Sequence, residues 1–154
     1  IMSTTGNPML PAAKPEAIAI LNDRGPDPRV DFEGFLERAV VGAKVIGSPA
    51  HPPNPDDIRA RSRADFERSY YPEGFQRQYA AAMASPDRRP KLATIKAPTV
   101  VIHGADDPLV PLACGEDTAK RIPGARLVTV PGMGHDLPPG VVERLLPPLL
   151  AHLR

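Results

Sequence analysis

Apolar residues are distributed in two different ways along this chain. From about Lys14 to Asp87 they recur at helical spacing with no convincing strand, whereas beyond Thr99 short continuous β-branched runs alternate with helical stripes. Asp31 is suited to cap a helix whose positions Phe32, Phe35, Leu36, Ala39, Val40 and Ala43 share one face. Pro26, Pro28, Pro49, Pro52, Pro53 and Pro55 break the region into short pieces, and Asp56 to Tyr70 and Phe75 to Ala84 read as two further helices. A small helical subdomain is the expected result.

After Pro86 to Pro90 the pattern changes. Thr99-Val100-Val101-Ile102-His103 is apolar without alternation, as in a parallel strand covered on both faces. A helix near Ala113 to Ile122, ended by Pro123-Gly124, leads to a second such run, Leu127-Val128-Thr129-Val130. Together they predict a βαβ unit with a right-handed crossover. Val141, Val142, Leu145, Leu146, Leu149, Leu150 and Leu153 form a final helical stripe expected to pack on the sheet, with Pro147-Pro148 kinking or dividing that helix. At the other end, residues 1–5 read as the tail of a strand rather than as a native terminus, stopped by Gly6-Asn7-Pro8. The expected organisation is the end of a core strand at 1–6, a helical cap at 7–89 and an α/β core at 90–154. Two parallel strands need neighbours, and these are expected upstream of the chain.

Composition narrows the function classes. With 42% hydrophobic and 24% charged residues among 154, the chain is ordinary globular material, and its 21 prolines fall mostly between elements. A formal net charge of +1 gives no electrostatic reason to expect nucleic acid or an anionic membrane as partner. Arg59, Arg61, Arg63, Arg68 and Arg77 are balanced by Asp56, Asp57, Asp65 and Glu67 and read as solvated helix faces. Cys114 is the single cysteine, so no internal disulfide can form, and the cytoplasm is the expected compartment. No apolar run approaches the roughly 20 residues of a membrane-spanning helix. A targeting signal would lie upstream. No cofactor and no metal site is expected.

Two segments carry candidate chemistry. Gly104-Ala105-Asp106-Asp107-Pro108-Leu109-Val110-Pro111 follows the first strand, and Gly132-Met133-Gly134-His135-Asp136 follows the second. Active-site groups gather at the carboxyl ends of parallel strands, so an acid and a histidine are expected on neighbouring loops at one sheet edge. A carboxylate accepting from one imidazole nitrogen fixes the tautomer and frees the other nitrogen to take a proton from a nucleophile. Blander readings stand beside this. Asp106 and Asp107 are also good turn formers ahead of Pro108. His135 alone could be an exposed loop residue, but its glycine-flanked position after a strand favours catalysis. His103 reads as structural, His51 and His152 as surface residues, and Cys114 as a small buried side chain. Tyr70, Tyr71, Phe75 and Tyr79 suit either packing or the lining of a substrate pocket.

These two loops and their strands resemble the acid and histidine regions of α/β-hydrolase fold enzymes, in which the chain order is nucleophile, acid, histidine. The family's acid lies three residues after the glycine that ends the strand and four before a proline, which matches Asp107 and makes Asp106 the weaker candidate. His135 follows Asp107 by 28 residues, room for one helix and one strand. Ile1 to Pro8 is also similar to the strand-to-cap passage of carboxylesterases like aclacinomycin methylesterase. The resemblance implies an α/β fold, specifically the C-terminal part of an α/β-hydrolase parallel sheet with a helical cap insertion. It also implies hydrolysis of a small-molecule ester, with Asp107 and His135 as catalytic residues. None of Ser3, Ser48, Ser62, Ser69 and Ser85 sits in a Gly-x-Ser-x-Gly elbow, and no oxyanion loop is recognisable. The nucleophile is therefore expected from a missing N-terminal half, upstream or on a separate chain, and this chain alone is expected to be inactive. The alternatives are a dehalogenase or epoxide hydrolase with an upstream aspartate nucleophile, a cofactor-free haloperoxidase or carbon-carbon hydrolase, and a non-catalytic truncated binding module.

Overall fold

The structure, a computed structural model, describes residues 4–153; Ile1 to Ser3, half of the strand end expected at 1–6, lie outside them, and Thr4 to Gly6 are not in a strand. Four helices come first: α1 (Pro15–Asn22), α2 (Phe32–Ile46), α3 (Pro55–Arg68) and α4 (Pro72–Met83). The short α5 (Arg89–Leu92) leads into β1 (Val100–Gly104), α6 (Leu112–Arg121), β2 (Arg126–Val130) and α7 (Pro139–His152). Proline opens α1, α3, α4 and α7 in the first turn, where its missing N–H costs no helical bond. Asp31 caps α2 by accepting from the Gly34 N–H at 2.8 Å, and Asn54 caps α3 from the Asp56 N–H at 2.9 Å.

α2 and α3 pack through aromatic rings. Phe66 of α3 lies 5.2 Å from Phe32 and 6.3 Å from Phe35, with Tyr70 5.3 Å beyond Phe66. Tyr70 is thus a packing residue, and the stacked pair Phe75 and Tyr79, 6.1 Å apart, lies along α4. Arg59 bonds Glu37 at 2.7 Å and Arg63 approaches Glu33 at 3.6 Å, so the α3 arginines bridge to α2 as well as meeting solvent. The two ends of the helical stretch are fastened together. The Arg88 N–H donates to the Thr5 carbonyl at 2.9 Å, and the buried Thr5 hydroxyl donates to Asp117 of α6 at 2.6 Å.

β1 and β2 form a parallel two-stranded sheet among the described residues, in register from Val100 opposite Arg126 to Gly104 opposite Val130. Val130, Met133 and Val141 make a core cluster, with Ile102 and Leu145 packed against it. Two expectations for the last helix need correction. Pro147 and Pro148 lie inside a continuous α7 rather than dividing it. The carbonyls their rings leave unbonded belong to Glu143 and Arg144, both exposed, so water can serve them. Nor does the whole apolar stripe pack: Val141 and Leu145 are covered, but Leu146, Leu149, Leu150 and Leu153 are exposed. Strands of five residues each are too short to cover a helix of 14. His51 and His152, expected at the surface, are partly covered, and the His51 ring lies against Gly140 at the start of α7.

Leu36 is 1% exposed on α2 whereas Val41, on the same helix, is 50% exposed. Leu36→Ala should therefore lower the unfolding free energy by about 2–5 kcal/mol in urea titrations, with Val41→Ala nearly neutral.

Candidate active site

The register ends both strands at the same level, so the loops after Gly104 and Val130 start side by side. They are laced together at once. The Ala105 N–H donates to the Val130 carbonyl at 3.0 Å and the Asp106 N–H to Met133 at 3.1 Å. The Asp106 carboxylate accepts from the Gly132 N–H at 2.7 Å and so points at the backbone of the second loop, not at an imidazole.

Asp107 serves two purposes with its two oxygens. Oδ1 accepts from the Leu109 N–H at 2.9 Å and the Val110 N–H at 2.8 Å, closing the turn through Pro108. Oδ2 lies 2.8 Å from Nδ1 of His135. A carboxylate can only accept, so Nδ1 carries the proton and the lone pair of the neutral ring resides on Nε2. The Asp107 side chain is fully covered, whereas the His135 side chain is 21% exposed, a buried orienting group behind an accessible ring. Burial pushes the Asp107 carboxyl up. The His135 bond, then the Val110 and Leu109 N–H groups, more than offset this and hold it below the usual carboxylate range. His103, wholly buried, braces the same turn through Nε2, which donates to the Val110 carbonyl at 2.8 Å.

The glycines of the histidine loop have specific tasks. Gly132 adopts φ +74°, open to few other residues, and a Cβ there would stand 2.2 Å from the Ala50 side chain. A Cβ on Gly134 would stand 2.2 Å from the Gly47 carbonyl oxygen. The loop is thus pressed against the end of α2. The His135 N–H donates to the Ile46 carbonyl at 2.7 Å, and the Ala50 N–H donates to Gly132 at 3.2 Å. Ser48, 1% exposed, accepts from the Gly134 N–H at 3.0 Å and donates to Asp136. At the other end of the helical stretch, the Lys14 N–H donates to the Pro108 carbonyl at 2.8 Å. A cavity of about 410 Å³ lies along this junction, lined by Lys14, Lys44, Gly47, Ser48, Asp106 and Pro108 among others. A scan of serines for a nucleophile elbow passes over Ser48. Nothing in sequence links it to Asp136, 88 positions later.

Comparison with known proteins bears on this geometry. The model of the family described as TAP-like protein matches residues 76–140. Rhodomycin D methylesterase DauP of Streptomyces sp. (strain C5) is 32% identical over 123 residues, 79% of this chain and 41% of that enzyme. The pimeloyl-[acyl-carrier protein] methyl ester esterase of Aromatoleum aromaticum is 43% identical over 53 residues, 34% of this chain and 21% of that protein. Among solved structures, the 2-hydroxy-6-oxo-6-phenylhexa-2,4-dienoate hydrolase of Rhodococcus sp. strain RHA1 superposes with a TM-score of 0.66 at 23% identity. That match covers 94% of this chain and 51% of the hydrolase. This is an α/β-hydrolase fold, represented by its C-terminal part. The chain spans about 41% of the length of the methylesterases it matches. No helix among the described residues is long and apolar enough to cross a membrane.

Two outcomes follow for this site. Gly134→Ala should cost about 1–3 kcal/mol, because the methyl meets backbone rather than a movable side chain, and thermal unfolding measures it. Asp107 has its pKa lowered by folding, so its stabilisation is present above its unfolded value and is lost as pH falls through the lower folded one. Asp107→Asn should accordingly flatten the fall of stability below about pH 4, read from urea unfolding across a pH series.

Proposed function

We propose that this chain supplies the orienting acid, Asp107, and the general base, His135, of a serine-type carboxylic ester hydrolase. The 2.8 Å bond from His135 Nδ1 to the buried Asp107 carboxylate carries this reading. In the reaction, Nε2 of His135 takes the proton from a serine hydroxyl as it attacks the ester carbonyl, and returns it to the departing alkoxide. Asp107 holds the tautomer and stabilises the imidazolium formed in between. A second turn of the same cycle, with water in place of the serine, releases the acid.

The serine and the oxyanion hole come, on this reading, from residues outside this chain that form the rest of the parallel sheet. The exposed α7 leucines are in keeping with such a partner, since they remain to be covered. Ester chemistry is favoured over the other reactions of the fold by relatives named as methylesterases and a methyl ester esterase. Residues 7–89 act as a lid shaping the acyl pocket, a role supported by the contacts of Lys14, Ile46, Ser48 and Ala50 with both loops. The lone Cys114, buried and with its thiol pushed up by burial, fits a reducing compartment, and we assign the chain to the cytoplasm.

Turnover of a p-nitrophenyl ester tests this. The 154-residue chain alone should not exceed buffer, whereas an assembly containing the complete fold should turn over. In that assembly Asp107→Asn should lower kcat roughly ten-thousandfold, and His135→Ala at least as much. Activity of the isolated chain that His135→Ala abolishes would overturn the division of labour, and an assembly indifferent to His135→Ala would overturn the hydrolase reading.

A further inference from the structure

We propose that Ser48, at the end of α2, is a positioning residue for His135, so that the helical stretch sets the geometry of the base as well as covering it. The inference rests on the reading of His135 as that base.

A hydroxyl has one proton and two lone pairs, and Ser48 uses them on the residues either side of His135. It accepts from the Gly134 N–H at 3.0 Å and donates to the Asp136 carboxylate. His135 itself is held from the same place, its N–H donating to the Ile46 carbonyl at 2.7 Å, and Gly132 is held by the Ala50 N–H at 3.2 Å. Residues 132, 134, 135 and 136 are thus each bonded to the segment 46–50. The close approach of Gly134 to the Gly47 carbonyl is what lets one small side chain span the two backbones.

Ser48 is 1% exposed, so water does not readily replace it. Its removal leaves a buried N–H and a carboxylate oxygen without their partner and frees the backbone on both sides of His135. A catalytic group must be held within about 0.5 Å of its working position, and the imidazole depends on that backbone to meet Asp107. The first loop holds Asp107 through Leu109, Val110 and His103, none of which touches Ser48 in the hydrogen bonds described. Ser48 therefore acts on one partner of the pair only.

The test is nuclear magnetic resonance of the 154-residue chain with ¹⁵N-labelled histidine, reading the His135 ring directly and independently of turnover. The wild type should show a slowly exchanging Nδ1 proton, assigned by its loss in His135→Gln. Ser48→Ala should raise the exchange rate of that proton roughly tenfold or more and let the ring redistribute toward the Nε2–H tautomer, and Ser48→Thr should restore both. A Ser48→Ala ring indistinguishable from wild type, in protein whose remaining amide spectrum is folded, overturns the proposal. If Ser48→Ala does not fold, Asp136→Ala removes one of the two Ser48 bonds and should give a smaller change of the same direction, and an unchanged ring there also overturns it. Asp107→Asn separates the two readings. If the Nδ1 proton survives that substitution unchanged, the Asp107–His135 pair fails, and with it the proposed function. If it is lost there but kept in Ser48→Ala, only the role of Ser48 fails.

Discussion

The parallel pairing of β1 with β2 is the constraint on which the site depends. Hydrogen bonds fix the register so that Gly104 and Val130 end the strands opposite each other. A parallel pair sends both of its C-terminal loops out of the same edge, with the crossover helix α6 carried on one face. An acid on one loop and an imidazole on the other then need only a few residues of reach. Asp106 and Asp107 divide the outcome. The first ties the loops together through Gly132, and the second, one residue on, points its carboxylate at His135.

Around that pair most polar groups satisfy one another, the buried Nδ1 of His103 being without a partner among the described residues. Asp107 is buried and yet remains ionised because three donors converge on it, two from its own turn and one from His135. His103 spends its Nε2 proton on the carbonyl of that turn, which stiffens the acid from behind. The histidine loop is held on one side by Asp106, through Gly132 and Met133, and on the other by the end of α2 and the segment after it. Glycine at 132 and 134 is the condition for this, since a Cβ at 134 would stand against the Gly47 backbone and one at 132 would meet the Ala50 side chain on a backbone of positive φ. The same contacts make the helical stretch part of the site. A helix that only covered a pocket would touch its rim, whereas here its last turn holds the histidine backbone.

Much of the fold was legible along the chain. Helices α2, α3, α4 and α6 and both strands follow from periodicity, caps and proline punctuation, because these are local properties of neighbouring residues. The failures are also physical. Pro147-Pro148 left a kink or a division open, and no division occurs, because an exposed helix end gives up two carbonyl bonds to water at small cost. The stripe of leucines promised a covered face, yet coverage is decided by how much sheet there is to pack on. His51 remains partly exposed, as a surface residue should, but its contact with Gly140 is not visible in its polar, proline-rich sequence surroundings.

For the site itself, sequence by itself picked out the residues proposed to carry chemistry: a strand, an acidic turn, a second strand and a glycine-flanked histidine, in an order that the α/β-hydrolase resemblance made interpretable. Even the preference for Asp107 over Asp106 as the partner of His135 came from position within that motif. Only the tertiary structure decided what holds them. Ser48 and Asp136 are 88 positions apart and Ile46 and His135 are similarly distant, and no periodicity or cap relates residues so far removed. Their meeting depends on where the chain leaving α2, residues 46–50, comes against the histidine loop, at glycines 132 and 134. A pattern read along the chain registers which side chains prefer burial, but the partner of a buried hydroxyl is set by three-dimensional contact alone.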